Sequence, residues 1–170
     1  MDYKVIKSAR KTISLEVSPD LTVVVKAPLR MRRKEISAFV QKHEEWLKDA
    51  LVRTQRRALL QAELDTPQQQ ERLQREAEEY LPQRTEYWAK IMQVSPAGIR
   101  ITDAKTRFGS CSAKNRICYS RRLMAYPQQA VDYVIVHELA HILQKDHSPR
   151  FYAIVQRYLP DWKERRNLLK

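Results

Sequence analysis

Apolar and polar residues alternate from Ile13 to Val17, with Ser14 and Glu16 between Ile13, Leu15 and Val17. A period of two is that of a half-buried strand, whose side chains point to two faces in turn. Ser18-Pro19-Asp20 is a turn signal. Leu21-Thr22-Val23-Val24-Val25 then reads as a second strand that ends near Pro28. A weaker strand over residues 3–8 completes an expected β-meander. After the basic run Arg30-Met31-Arg32-Arg33-Lys34 the period lengthens. Ile36, Phe39, Val40, His43, Leu47, Ala50 and Leu51 follow helical spacing, and the pattern fades through residues 53–61. Thr66-Pro67 restarts a helix, a capping residue followed by proline in the first turn. Leu73, Ala77, Leu81 and Trp88 mark its apolar face, and Pro82 is expected to kink or break it. The Gln/Glu-rich stretch 68–79 is a solvated face, because apolar residues still recur within it.

Short strands follow at Ile99-Arg100-Ile101-Thr102, Arg107-Phe108-Gly109-Ser110-Cys111-Ser112 and Arg116-Ile117-Cys118-Tyr119-Ser120. Pro127 opens a helix whose run Ala130-Val131-Asp132-Tyr133-Val134-Ile135-Val136 is apolar almost throughout. Ser148-Pro149 caps and opens another over 150–159, Pro160-Asp161 stops it, and residues 162–169 form a last basic turn or two. Neither an internal repeat nor a linker-like boundary is visible. The expected organisation is one α+β domain: a meander over 1–34, two central helices over 35–97, and a small sheet with its helices over 98–170.

The helix after Pro127 carries the chemistry. Its apolar run leads into His137-Glu138-Leu139-Ala140-His141, and His147 follows six residues later. On a helix, positions i and i+4 lie one above the other, so both imidazoles reach one metal ion, with Glu138 placed as general base. The apolar setting argues for burial. Two histidines and a glutamate inside an apolar helix need partners, and a metal satisfies all three. A third ligand would leave a fourth position open, as in catalytic zinc sites. His147 is the favoured third ligand, with Glu164 the rival. Its spacing from His141 equals that of metzincins, but Gln144 stands where those have glycine, and no Met-turn follows. Lys145-Asp146 can instead end the helix, so that His147 projects from the turn toward the metal. His43 lies on an apolar stripe without a second histidine nearby and reads as a satisfied boundary residue. Arg107, Tyr133 and Tyr152 are the candidates to stabilise an oxyanion. Cys111 reads as a small packed residue ahead of a thiolate ligand.

Composition narrows the rest. The 170 residues carry a net charge of +12 and two glycines. So few glycines disfavour all-β folds and exclude Gly-rich phosphate loops. The charge is uneven: residues 1–34 hold nine Lys/Arg against three acids, and residues 98–144 and 145–170 each hold seven against three. A basic surface favours polyanions, yet no nucleic-acid motif accompanies it. Any nucleic-acid binding is expected to be weak, nonspecific and salt-sensitive. No run of 18 apolar residues suggests a membrane span. Asp2-Tyr3-Lys4-Val5-Ile6 lacks the core of a signal peptide, and Cys111 and Cys118 are expected as reduced cytoplasmic thiols.

In order along the chain, Arg107-Phe108-Gly109-Ser110-Cys111-Ser112, His137-Glu138-Leu139-Ala140-His141, His147-Ser148-Pro149-Arg150-Phe151 and Leu159-Pro160-Asp161-Trp162 resemble the YgjP-like metallopeptidase family. The resemblance extends to Arg10-Lys11-Thr12 near the N-terminus. Phe108 departs from the family's usual tryptophan but keeps an aromatic ring. The resemblance implies a zincin-type α+β fold, a zinc tripod of His137, His141 and His147, and metal-dependent hydrolysis. Peptides are the expected substrate. The alternatives are a nucleotide phosphoanhydride, and an SprT-like protease acting near nucleic acid, since those proteins share the His-x-Pro-x-Phe element. A purely structural zinc is the weakest reading, because a tripod leaves it one ligand short.

Overall fold

A computed structural model of the protein describes residues 2–169. The chain divides into two compact units, Met1–Asp65 and Thr66–Lys170, so the helical stretch expected over 35–97 is shared between them.

The N-terminal unit holds β1 (Lys4–Ser8), β2 (Ser14–Val17), β3 (Val23–Pro28), α1 (Arg33–Lys42) and α2 (Glu44–Leu64). All three expected strands form, but not as a meander. The order is β1-β3-β2, with β1 parallel to β3 and β2 antiparallel to it. The reason lies in β3, where Val23, Val25 and Ala27 are buried on one face against Ile36, Val40 and Leu47. The most apolar strand takes the centre, and the wholly exposed β1 takes an edge. The first expected helix is two helices that meet at His43, and it does not fade. α2 runs on to Leu64, although only Leu47, Ala50 and Leu64 are buried along its 21 residues. The sparse pattern is that of a mostly solvated helix. His43 is satisfied as expected: its Nδ1 lies 2.8 Å from the Phe39 carbonyl oxygen and its ring packs on Phe39.

The second unit holds α3 (Pro67–Met92), β4 (Gly98–Thr102), β5 (Gly109–Cys111), β6 (Arg116–Ser120), a 3-10 turn (Arg121–Ala125), α4 (Gln128–Leu143), α5 (Pro149–Tyr158) and α6 (Trp162–Asn167). Pro82 does not break α3, which is continuous through it. The proline removes one hydrogen bond to the carbonyl of residue 78. Glu78 is on the exposed side, where water can serve that carbonyl, while buried Leu81 and Thr85 hold the turns around the proline. The sheet order is β4-β6-β5, with the buried central strand β6 flanked by a parallel and an antiparallel neighbour.

α4 is the core of this unit. Residues Ala130 to Val136 and Glu138 to His141 are buried. The one acid in that apolar run, Asp132, is only 5% exposed. It accepts hydrogen bonds from Arg84 Nε and Nη2 at 2.6 and 2.8 Å and from Trp88 Nε1 at 3.0 Å, and Arg165 lies 3.8 Å away. A buried carboxylate is tolerated only when paired and hydrogen-bonded in this way. The network ties α4 to α3 and α6 a little more than one turn before His137. Among the described residues, no helix is long and apolar enough to cross a membrane.

Candidate metal centre and active site

His137 and His141 face the same side of α4, as the four-residue spacing requires. The helix ends at Leu143, and Gln144 follows in an extended conformation (φ −141°, ψ 114°). A negative φ explains why glycine is not needed there: the chain leaves the helix without entering the left-handed region. Asp146 then closes the turn, its Oδ1 accepting from Gln144 Nε2 at 2.8 Å and from the Ser148 backbone N–H at 3.2 Å. Ser148 sits at the N-cap of α5 as the sequence suggests, but its hydroxyl makes no capping bond. Lys145 pins the turn to the sheet by donating to the Ser112 carbonyl at 3.1 Å and to Asn115 Oδ1. His147, held in this turn, swings back over α4.

The structure therefore brings His137, His141 and His147 together. One ligand nitrogen from each lies within 4.8 Å of the others, and His137 Nε2 is 3.0 Å from His147 Nε2. The Nδ1 edges face elsewhere. His141 Nδ1 lies 3.2 Å from the Gln144 carbonyl, and His137 Nδ1 lies 3.5 Å from the Tyr133 hydroxyl. A donor bond from Nδ1 leaves the Nε2 lone pair pointing into the cluster. Glu164 does not join the group.

Phe151, four residues after His147, is fully buried, and its ring centre lies 4.8, 4.4 and 4.9 Å from those of His137, His141 and His147. It is the apolar floor under all three imidazoles. Sequence reading assigned it no role. The available signal was an aromatic one helical turn beyond a candidate ligand. Tyr152 stacks on Trp162, which in turn stacks on Tyr133, forming a wall beside the cluster.

Electrostatics agree with a metal-competent site. Burial lowers the His137 pKa to about 3, with further contributions from His141, His147 and Arg166. Burial also lowers that of His141. Both imidazoles are thus neutral at ordinary pH, the form that binds metal. Glu138 is 5% exposed. Burial raises its pKa to about 8, partly offset by the Arg107 charge. A buried carboxyl with so little compensation suits a place where a cation would restore its ionised form. Three convergent imidazole nitrogens form a donor set that zinc favours, so these residues fit a divalent metal.

Gly109 opens β5. It lies against Glu138. A Cβ there would sit 2.6 Å from Glu138 Oε1 and 2.7 Å from Cγ. Cys111, on the same strand, is half-buried, and burial raises its thiol pKa, which suits a packed residue.

The family model for the YgjP-like, metallopeptidase domain matches residues 11–71 and 60–170. The chain belongs to this family. Curated proteins gave no match. Among solved structures, the crystal structure of the metallopeptidase zymogen of Pyrococcus abyssi abylysin is similar at a TM-score of 0.48 and 22% identity, over 52% of this chain and 90% of that one. Membership makes the YgjP-like chain a member of a metallopeptidase family, and the three-histidine cluster is where a divalent metal can be held.

Proposed function

We propose that the protein is a zinc-dependent peptidase in which His137, His141 and His147 hold the metal and Glu138 is the general base. The observation that carries this reading is the convergence of three imidazole nitrogens beside a buried carboxyl on the same helix. Zinc, when bound, supplies Lewis acidity and brings the pKa of a bound water toward neutrality. Glu138 would take the proton from that water and later deliver it to the leaving amine. Tyr133 is the best placed of the three candidates to stabilise the oxyanion. It lines the same pocket as His137 and Glu138, and its hydroxyl lies 3.5 Å from His137 Nδ1; with the His137 Nε2 lone pair turned to a metal, Nδ1–H would be the donor in that contact and the Tyr133 O–H would be free to donate to substrate. Tyr152 is stacked on Trp162 instead, and the Arg107 charge acts on Glu138.

A phosphoanhydride substrate would need a second, oxygen-rich metal site. Among the described residues, the three-histidine cluster is the group able to hold a metal, so peptides are the better-supported substrate. The test is a screen of the zinc-loaded protein against peptide libraries and nucleotides in parallel. Peptide cleavage should appear, vanish with a chelator and return with added zinc, while nucleotides stay intact. Nucleotide hydrolysis without peptide cleavage would replace this reading with the phosphoanhydride one.

A further inference from the structure

A pocket of about 320 Å³ opens beside His137 and Glu138. Phe108, Val134 and Leu169 give it apolar walls, and Tyr133 adds a hydroxyl. Among its described lining residues, Arg166 alone carries a positive charge at any ordinary pH. Arg166 and its neighbour Arg165 differ in what they face. Arg165 is committed to Asp161 at 2.8 Å and lies 3.8 Å from Asp132. The Arg166 guanidinium pairs with no described carboxylate, and it lines the pocket beside His137 and Glu138.

An apolar pocket with a single uncommitted guanidinium selects an amphipathic anion. The guanidinium fork matches a carboxylate with two parallel hydrogen bonds, and the walls take the carbon skeleton beside it. Walls this apolar do not suit a polyanion, which would need several cations.

We propose that this pocket is a carboxylate-recognising subsite, in which Arg166 holds a substrate carboxylate and Phe108, Val134 and Leu169 receive the apolar side chain next to it. The proposal rests on reading the histidine cluster and Glu138 as the reacting centre, which makes this pocket the place for the substrate residue flanking the scissile bond. The carboxylate is either the substrate's C-terminus or an Asp or Glu side chain.

The probe is 3-phenylpropanoate, compared with the uncharged 3-phenylpropanamide. Binding of each is measured by calorimetry on zinc-loaded protein, zinc-stripped protein, Arg166→Gln and Arg166→Lys, with zinc content determined separately. The acid should bind wild type roughly tenfold or more tightly than the amide, the scale of a charge-assisted contact. Arg166→Gln should erase that difference, Arg166→Lys should keep part of it, and stripping zinc should leave it in place. Equal affinity for acid and amide, or no binding of either, would overturn the subsite. A preference that survives Arg166→Gln but vanishes without zinc would also overturn it: the acid would then be a metal ligand, and the metal centre would stand. Two peptide pairs separate the sources. Faster cleavage before a free C-terminal Phe than before its amide assigns the terminal carboxylate. Faster cleavage beside an internal Asp than beside Asn, with blocked termini, assigns the side chain. Neither preference would count against the proposal.

Discussion

Replacing Glu138 with glutamine should lower peptide turnover by roughly 10²–10⁴, the usual worth of a positioned general base. The substitution keeps shape and hydrogen-bonding capacity and removes only the ability to accept a proton. It should be mild for the fold. Glu138 is nearly fully buried, and burial already favours its uncharged form, so a neutral amide in the same space is tolerated. Metal content should also survive, since the three nitrogens come from other residues. The measurement is kcat with zinc content and thermal stability on the same preparation. Wild-type turnover in Glu138→Gln would remove Glu138 from the chemistry.

Gly109→Ala should also lower turnover strongly, through the same carboxyl. The added methyl would sit 2.6–2.9 Å from three Glu138 atoms, closer than real Cβ contacts allow, so one side must yield. β5 is paired to β6, with Gly109 opposite the fully buried Tyr119. The strand is therefore the fixed partner and the Glu138 side chain the movable one. A displacement of about 1 Å in a catalytic group costs on the order of 10²-fold in rate. The three nearest atoms to the new methyl all belong to Glu138, so zinc affinity should hold while kcat falls. Unchanged kcat in Gly109→Ala would mean that the strand does not set the position of Glu138. Loss of zinc along with activity would place the clash at the ligands.

Helix α4 was readable from the chain because its apolar run and the motif point to one buried helix. The turn after it was also readable. The helix ends at Leu143, just ahead of Lys145-Asp146, and His147 projects back, with the extended Gln144 standing where metzincins have glycine. What sequence did not show depends on distant pairing. Nothing local to residues 4–8 says that they lie parallel to residues 24–28. Asp132 read as one polar residue in an apolar run, because its partners Arg84 and Trp88 are more than forty positions away. Nothing local to Gly109 shows that the side chain it makes room for, Glu138, is 29 residues downstream. Phe151 and Arg166 were hidden for the opposite reason. A phenylalanine at helical spacing usually means core and an arginine near a terminus usually means solvent, and only the folded geometry sets the first under three imidazoles and the second at a pocket.

Zinc affinity across four single variants, His137→Ala, His141→Ala, His147→Ala and Glu164→Ala, tests the central claim most directly. Two ligands hold zinc poorly, so each histidine variant should lose most of its affinity, whereas Glu164→Ala should bind one zinc per chain as wild type does. Full zinc binding by His147→Ala together with loss in Glu164→Ala would contradict the account, because the metal would then be held by a different third ligand.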